Sequence, residues 1–143
     1  MIVIRPAQKT DFKIIYDFIN LLENTIFPED VQRDLFLKNL QNEHIIYLLA
    51  FEDDVSAGFI SCHAQFLLHH AALIGEIQEM IVAENFRSKG VGKLLMHTLV
   101  ELARSKNIVQ LEVTSGKRRT EAHRFYVREG FAETHFKFTR ALS

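Results

Sequence analysis

The spacing of apolar positions changes period along the chain, and each change predicts an element. Ile2-Val3-Ile4-Arg5 reads as a short strand that Pro6 ends. Thr10-Asp11 supplies side-chain acceptors suited to a helix start, and Phe12, Ile15, Phe18, Ile19 and Leu22 then recur at helical spacing. A second helix is predicted from Pro28-Glu29-Asp30, whose acids suit the positive end of a helix, to about Leu40. Residues 45–51 and 55–68 are apolar runs joined by Glu52-Asp53-Asp54, the pattern of an antiparallel hairpin, and residues 72–82 form the next strand. Val91, Leu94, Leu95, Leu99, Leu102 and Ala103 share one helical face opposite Lys93, His97, Glu101 and Arg104, so that face lies against the sheet. A strand over 108–114, a helix over 119–128, a stop at Gly130 and a last strand over 131–138 complete the order.

The order β-α-α-β-β-β-α-β-α-β predicts an α/β (α+β) fold: a mixed, mostly antiparallel central sheet flanked by about four helices. With 143 residues that are 48% apolar, one well-cored domain spanning 1–143 is expected. Seventeen basic and eighteen acidic residues give a formal charge of -1, so no global basic field points to nucleic acid or an anionic membrane. No apolar run approaches the ~20 residues of a membrane span, and the chain opens on a strand rather than a leader, so a cytoplasmic protein is expected. A lone cysteine, Cys62, excludes a disulfide framework and reads as a small buried hydrophobe.

Charge is local. Strand 72–82 feeds Glu84-Asn85-Phe86-Arg87-Ser88-Lys89-Gly90-Val91-Gly92-Lys93-Leu94, a short basic loop with two glycines that opens a helix. The first N–H groups of a helix lack intrahelical partners and sit at the positive end of its dipole, which makes them an anion site. Gly90 and Gly92 carry no Cβ to block an approaching ligand, while Arg87, Lys89 and Lys93 add charge, the arginine as a planar fork. A Walker A loop would need Gly at Arg87 and Ser or Thr at Leu94, and a dinucleotide turn would need Gly at Leu95. Both are excluded, leaving Arg-x-x-Gly-x-Gly as a diphosphate cradle.

Strand, Arg-x-x-Gly-x-Gly and helix in this order resemble the acyl-CoA-binding motif of the GCN5-related N-acetyltransferase (GNAT) superfamily, whose element order also matches. The resemblance implies that Arg87, Ser88, Lys89, Gly90, Val91, Gly92, Lys93 and Leu94 hold the CoA pyrophosphate, and that the backbone of Met80, Ile81 and Val82 pairs with the pantetheine arm. It also implies acetyl-CoA as cosubstrate and a small-molecule amine as acceptor. Pairing of the C-terminal strand across a homodimer is a further implication.

Acetyl transfer from a thioester to an amine needs an unprotonated amine. An alkyl ammonium has a pKa near ~10, so a carboxylate must accept its proton, directly or through water. Glu76 and Glu79 on strand 72–82 are the candidate bases, with Glu112 a third. Successive strand residues face opposite ways, so Glu76 and Glu79 share a cleft only across a bulge, which would also free an N–H for the developing oxyanion. A leaving thiolate, with a pKa near ~8.5 for its thiol, needs a proton donor. Tyr126, in Ala122-His123-Arg124-Phe125-Tyr126 before Gly130-Phe131, matches the superfamily's Ala-x-x-Phe-Tyr pattern and is the candidate general acid.

Between residues 63 and 142 the similarity narrows. Gln65-Phe66-Leu67-Leu68-His69-His70, Ile74-Gly75-Glu76-Ile77-Gln78-Glu79, Glu121-Ala122-His123-Arg124-Phe125-Tyr126 and His135-Phe136-Lys137-Phe138-Thr139-Arg140-Ala141-Leu142 resemble the aminoalkylphosphonate N-acetyltransferases. This implies a small acidic acceptor and a divalent cation, with one of His69 and His70 as a candidate ligand and Arg119 and Arg124 as candidate anion partners. Glu84 and Gly116 depart from those patterns, and the first 60 residues are dissimilar, so a plain amino acid stays open as acceptor. A non-catalytic acyl-CoA-binding module and a protein or peptide acetyltransferase are the alternatives. Bulky Phe27, Phe36, Tyr47 and Phe66 suit a closed pocket better than an open groove.

Overall fold

The computed structural model describes residues 1–143, and its elements follow the apolar periods. Strands β1 (Ile2–Pro6), β2 (Ile45–Glu52), β3 (Val55–Leu67), β4 (Ala72–Val82) and β5 (Ile108–Val113) form one sheet in the order β1-β2-β3-β4-β5. The first three pairings are antiparallel and β4–β5 is parallel, reached through the crossover helix α3 (Val91–Ser105). Helices α1 (Phe12–Glu23) and α2 (Glu29–Leu40) precede the β2–β3 hairpin, and α4 (Thr120–Arg128) follows β5. No helix is long and apolar enough to cross a membrane.

Alternation along the strands divides the core into two layers. Leu48, Ala50, Ile60, Cys62 and Ile77 face α3, where Val91, Leu95, Met96 and Leu99 are buried. Leu49, Phe59 and Ile81 face the other way, onto Phe12, Ile15, Tyr16 and Phe18 of α1 and Phe36 of α2. The α1 start is pinned by Arg5, which donates to Asp11 at 2.7 and 3.0 Å, while the Gln8 N–H donates to the same carboxylate at 2.7 Å. Cys62 is the buried hydrophobe expected, its thiol pushed up to about 12 chiefly by burial.

The last expected strand does not form. Residues 131–143 carry no regular structure, although Phe136 and Phe138 alternate as strand residues do. A strand needs a ladder to join. This segment lies against no edge in the folded chain, leaving Phe136, Phe138 and Leu142 at 81%, 91% and 93% exposed. The outer edge of β5 correspondingly has no partner strand.

Candidate active site

The cradle begins where β4 ends. A 3₁₀ turn over Glu84–Phe86 buries Phe86, Lys89 lies over its ring at 5.5 Å, and Gly90 caps α3 in the left-handed region at φ 81°. That angle explains the glycine, because an L residue with a Cβ is strained there. A Cβ built on Gly90 meets no protein atom within 4 Å, so the α3 N-terminus opens to solvent at this point. Gly92 lies in closer surroundings than Gly90. A Cβ there would meet Met80 Cε and the Phe125 ring at 3.5 Å, inside the protein, so it lies on the face packed between β4 and α4. Arg87 Nε donates to the Val82 carbonyl at 3.2 Å, which ties the guanidinium to the strand end below the helix.

Beside the cradle, β4 and β5 separate. They pair through Ile77 and Val113, after which Gln78 to Val82 have no neighbour on the β5 side. The gap leaves one backbone edge of residues 78–82 without a ladder partner, apart from the Val82 carbonyl, which accepts from Arg87. Tyr126 of α4, 9% exposed, packs in the same core cluster as Ile77 of β4 and Val113 of β5, with its ring edge-on to Phe125 and Phe131. Burial raises the Tyr126 phenol above the ordinary tyrosine value, opposed by the charge of Arg119 at the α4 N-cap. Gly130, at φ 96°, ends α4, and the Phe131 N–H closes onto the Tyr126 carbonyl at 3.0 Å.

The bulge required to bring the two glutamates together is present. Glu79 pairs with Ser61 and Ile77 with Cys62, which leaves Gln78 as the surplus residue of β4. Glu76, Gln78 and Glu79 consequently line one cavity of about 480 Å³ on the α1–α2 side. Its other walls include Phe12, Tyr16, Phe36, Asn39, Tyr47 and His63. Asn39 donates to the Tyr47 hydroxyl at 2.7 Å, and the Tyr47 phenol is raised by burial, with the Glu79 charge adding to the effect. Ser61 bonds twice to Glu79: its hydroxyl accepts from the Glu79 N–H at 3.0 Å and donates to the Glu79 carboxylate. Glu76 is held by Gln78 at 3.1 Å and by Thr114 at 3.3 Å. The volume suits a small molecule. The lining carries two carboxylates and one imidazole, and neither Lys nor Arg.

Other candidates lie elsewhere. Glu112 turns to Gln110 at 2.9 Å and His70 at 3.9 Å, away from the cavity. His69 and His70 stand in the turn after β3 rather than on a strand, with their rings 4.5 Å apart, and neither lines the cavity. No three His, Cys, Asp or Glu side chains converge as a metal cage, so the side chains do not fit the expected divalent cation. Of the bulky residues expected to close the pocket, Phe36 and Tyr47 do so, whereas Phe27 is not among its walls and Phe66 lies outside against His44. Ser61, His63 and Gln65 were not anticipated. Their signal was three polar residues at alternate positions of an otherwise apolar strand, which puts them on one face.

Residues 13–131 match the Acetyltransferase (GNAT) family. The chain is 40% identical over 142 residues to the aminoalkylphosphonate N-acetyltransferase of Salmonella typhimurium, covering 97% of this chain and 90% of that one. It is 32% identical over 80 residues to an uncharacterized N-acetyltransferase of Archaeoglobus fulgidus, covering 55% and 54%. Among solved structures, AAC(6')-Iy with the bisubstrate analog CoA-S-monomethyl-acetylneamine superposes with a TM-score of 0.88 at 20% identity, covering 100% of this chain and 99% of that one. Glucosamine-6-phosphate N-acetyltransferase from Arabidopsis thaliana superposes at 0.80 with 18% identity, covering 100% and 99%; these two likenesses concern the fold.

Proposed function

This chain belongs to the acetyltransferase (GNAT) family and is an N-acetyltransferase, and from that premise we propose that it transfers acetyl from acetyl-CoA to the primary amine of a small acidic metabolite, an aminoalkylphosphonate or an amino acid. It acts as a single domain in the cytoplasm. The observation that carries this reading is the meeting of two spaces at one bulge, the β4–β5 gap beside the α3 cradle and the carboxylate-lined cavity under α1 and α2.

In this reading the α3 N-terminal amides with Arg87, Ser88, Lys89 and Lys93 grip the diphosphate, and the free backbone edge of Met80 to Val82 aligns the thioester arm. Glu79 takes the proton of the acceptor ammonium. Glu76 is the second candidate, but its carboxylate already serves Gln78 and Thr114, whereas Glu79 sits at the bulge beside the gap. The amine then attacks the thioester carbonyl, the C–S bond breaks, and Tyr126, a phenol that is protonated at neutral pH and is raised further by burial, gives its proton to the departing thiolate while the second proton of the attacking nitrogen passes to the phenolate through solvent. No step runs through a metal ion.

The acidic acceptor is supported by the Salmonella relative's name. A second reading, an amine with a neutral or cationic body, is favoured by the absence of Lys and Arg from the cavity lining. A thioester-cleavage panel of aminoalkylphosphonates, amino acids, diamines and amino sugars, each with and without chelator, tests both. The proposal expects the first two groups to turn over best. A preference for diamines or amino sugars selects the second reading, and no turnover with any amine defeats both.

A homodimer is also proposed, in which the exposed segment carrying Phe136, Phe138 and Leu142 joins a sheet edge of a second copy.

A further inference from the structure

Ser61 is fully buried, at 0% exposure, and with Asp11 it makes up the whole set of buried polar residues. Asp11 has an arginine and a helix start to serve. Ser61 serves one residue only. It lies opposite Glu79 at the last regular pair of β3 and β4 before the bulge, on the face that carries the cavity. Its hydroxyl takes the Glu79 N–H at 3.0 Å and gives its own proton to the Glu79 carboxylate. One side chain thus fixes both ends of the glutamate, main chain and carboxylate.

We propose that Ser61 is a positioning residue for the transfer, holding the Glu79 carboxylate in the orientation that receives the acceptor's proton. This rests on the reading of Glu79 as base. A glutamate has three side-chain torsions, and a strand with a surplus residue holds its backbone less firmly than a regular ladder. Without a second anchor the carboxylate would sample orientations away from the cavity. A hydroxyl is suited to the task because it can accept the N–H and donate to the carboxylate at once, which neither Ala nor a residue with a single hydrogen-bonding role can do. Burial of Ser61 itself keeps water away from its hydroxyl, so both bonds stay with Glu79.

The test is a double-mutant cycle of Ser61→Ala with Glu79→Gln, measuring kcat and both KM values, with unfolding midpoints recorded in parallel. Ser61→Ala is expected to lower kcat roughly 10- to 100-fold, the scale of a misplaced catalytic group, with KM for acetyl-CoA unchanged. In the Glu79→Gln background the same change should have no further effect on kcat. Ser61→Cys keeps the volume and a weaker donor, should fall between wild type and Ala, and carries the cycle if Ser61→Ala does not fold. Wild-type kcat in the folded Ser61→Ala enzyme, or an equal loss with and without the Glu79 carboxylate, would overturn the proposal. A Glu79→Gln enzyme at wild-type kcat would instead remove the base assignment on which it rests.

Discussion

At the scale of single residues, the decisive contrast is between groups that burial makes inert and groups it makes useful. Cys62 and Tyr126 are both raised by burial, but Cys62 is fully buried on β3 facing α3, whereas Tyr126 lies on α4, 9% exposed, against Phe125 and Phe131. Phe in place of Tyr126 keeps the ring contacts with Phe125 and Phe131 and removes only the proton. Tyr126→Phe should therefore fold normally and lose roughly 10²- to 10⁴-fold in kcat. The wild-type rate is expected to decline at alkaline pH as the raised phenol ionises, and Tyr126→Phe should lose that decline, measured as kcat against pH. Asp11 gives a stability prediction of the opposite sign. The Arg5 fork, aided by the Gln8 N–H, holds its carboxyl below the usual range against the cost of burial. A lowered native value stabilises the fold at pH above the unfolded value of about 3.9, and that contribution is lost as pH falls through the native value. Asp11→Asn should cost about 1.5–3 kcal/mol at pH 7, and the difference from wild type in urea unfolding should shrink on moving from pH 7 to pH 3.

At the scale of elements, the site depends on three departures from regularity: a surplus residue in β4, a parallel pair that parts after Ile77, and a left-handed cap on α3. Each interrupts a regular hydrogen-bonding pattern and so leaves backbone groups that a ligand can take. The cap and its cations should govern cosubstrate affinity alone. Arg87→Ala is expected to raise KM for acetyl-CoA about 10-fold, the loss of one charge-assisted contact, while kcat at saturation stays near wild type. Gly90→Val should add strain of about 1–2 kcal/mol at φ 81° and weaken CoA binding by calorimetry.

At the scale of the whole molecule, one surface lacks the partner that its chemistry calls for. Phe136, Phe138 and Leu142 stand in solvent, and β5 ends the sheet without a neighbour. Sedimentation should give twice the mass of the 16.6 kDa chain, and truncation after Ala132, which keeps Phe131 on Tyr126, should give the monomer. A full-length chain that sediments as a monomer at assay concentration would defeat the dimer.

Much of the fold was legible because it is written in period. The helical stripes of α1 and α3 and the apolar runs of β2 to β4 each specify a face, and their order specifies a mixed sheet. The basic loop opening α3 was legible for a related reason: a left-handed cap needs glycine, and a basic loop before a helix is a local pattern of residue types. The segment after Gly130 was misread because its alternation is real, but a strand is a property of two segments and only one is present.

The sequence by itself determined which residues could bind an anion, accept a proton or give one, since these follow from side-chain type and local spacing. Only the tertiary structure decided that Glu76 and Glu79 share a cavity while Glu112 does not, and that Ser61 grips Glu79. Those outcomes turn on the register between strands, where a single surplus residue sends every following side chain to the other face.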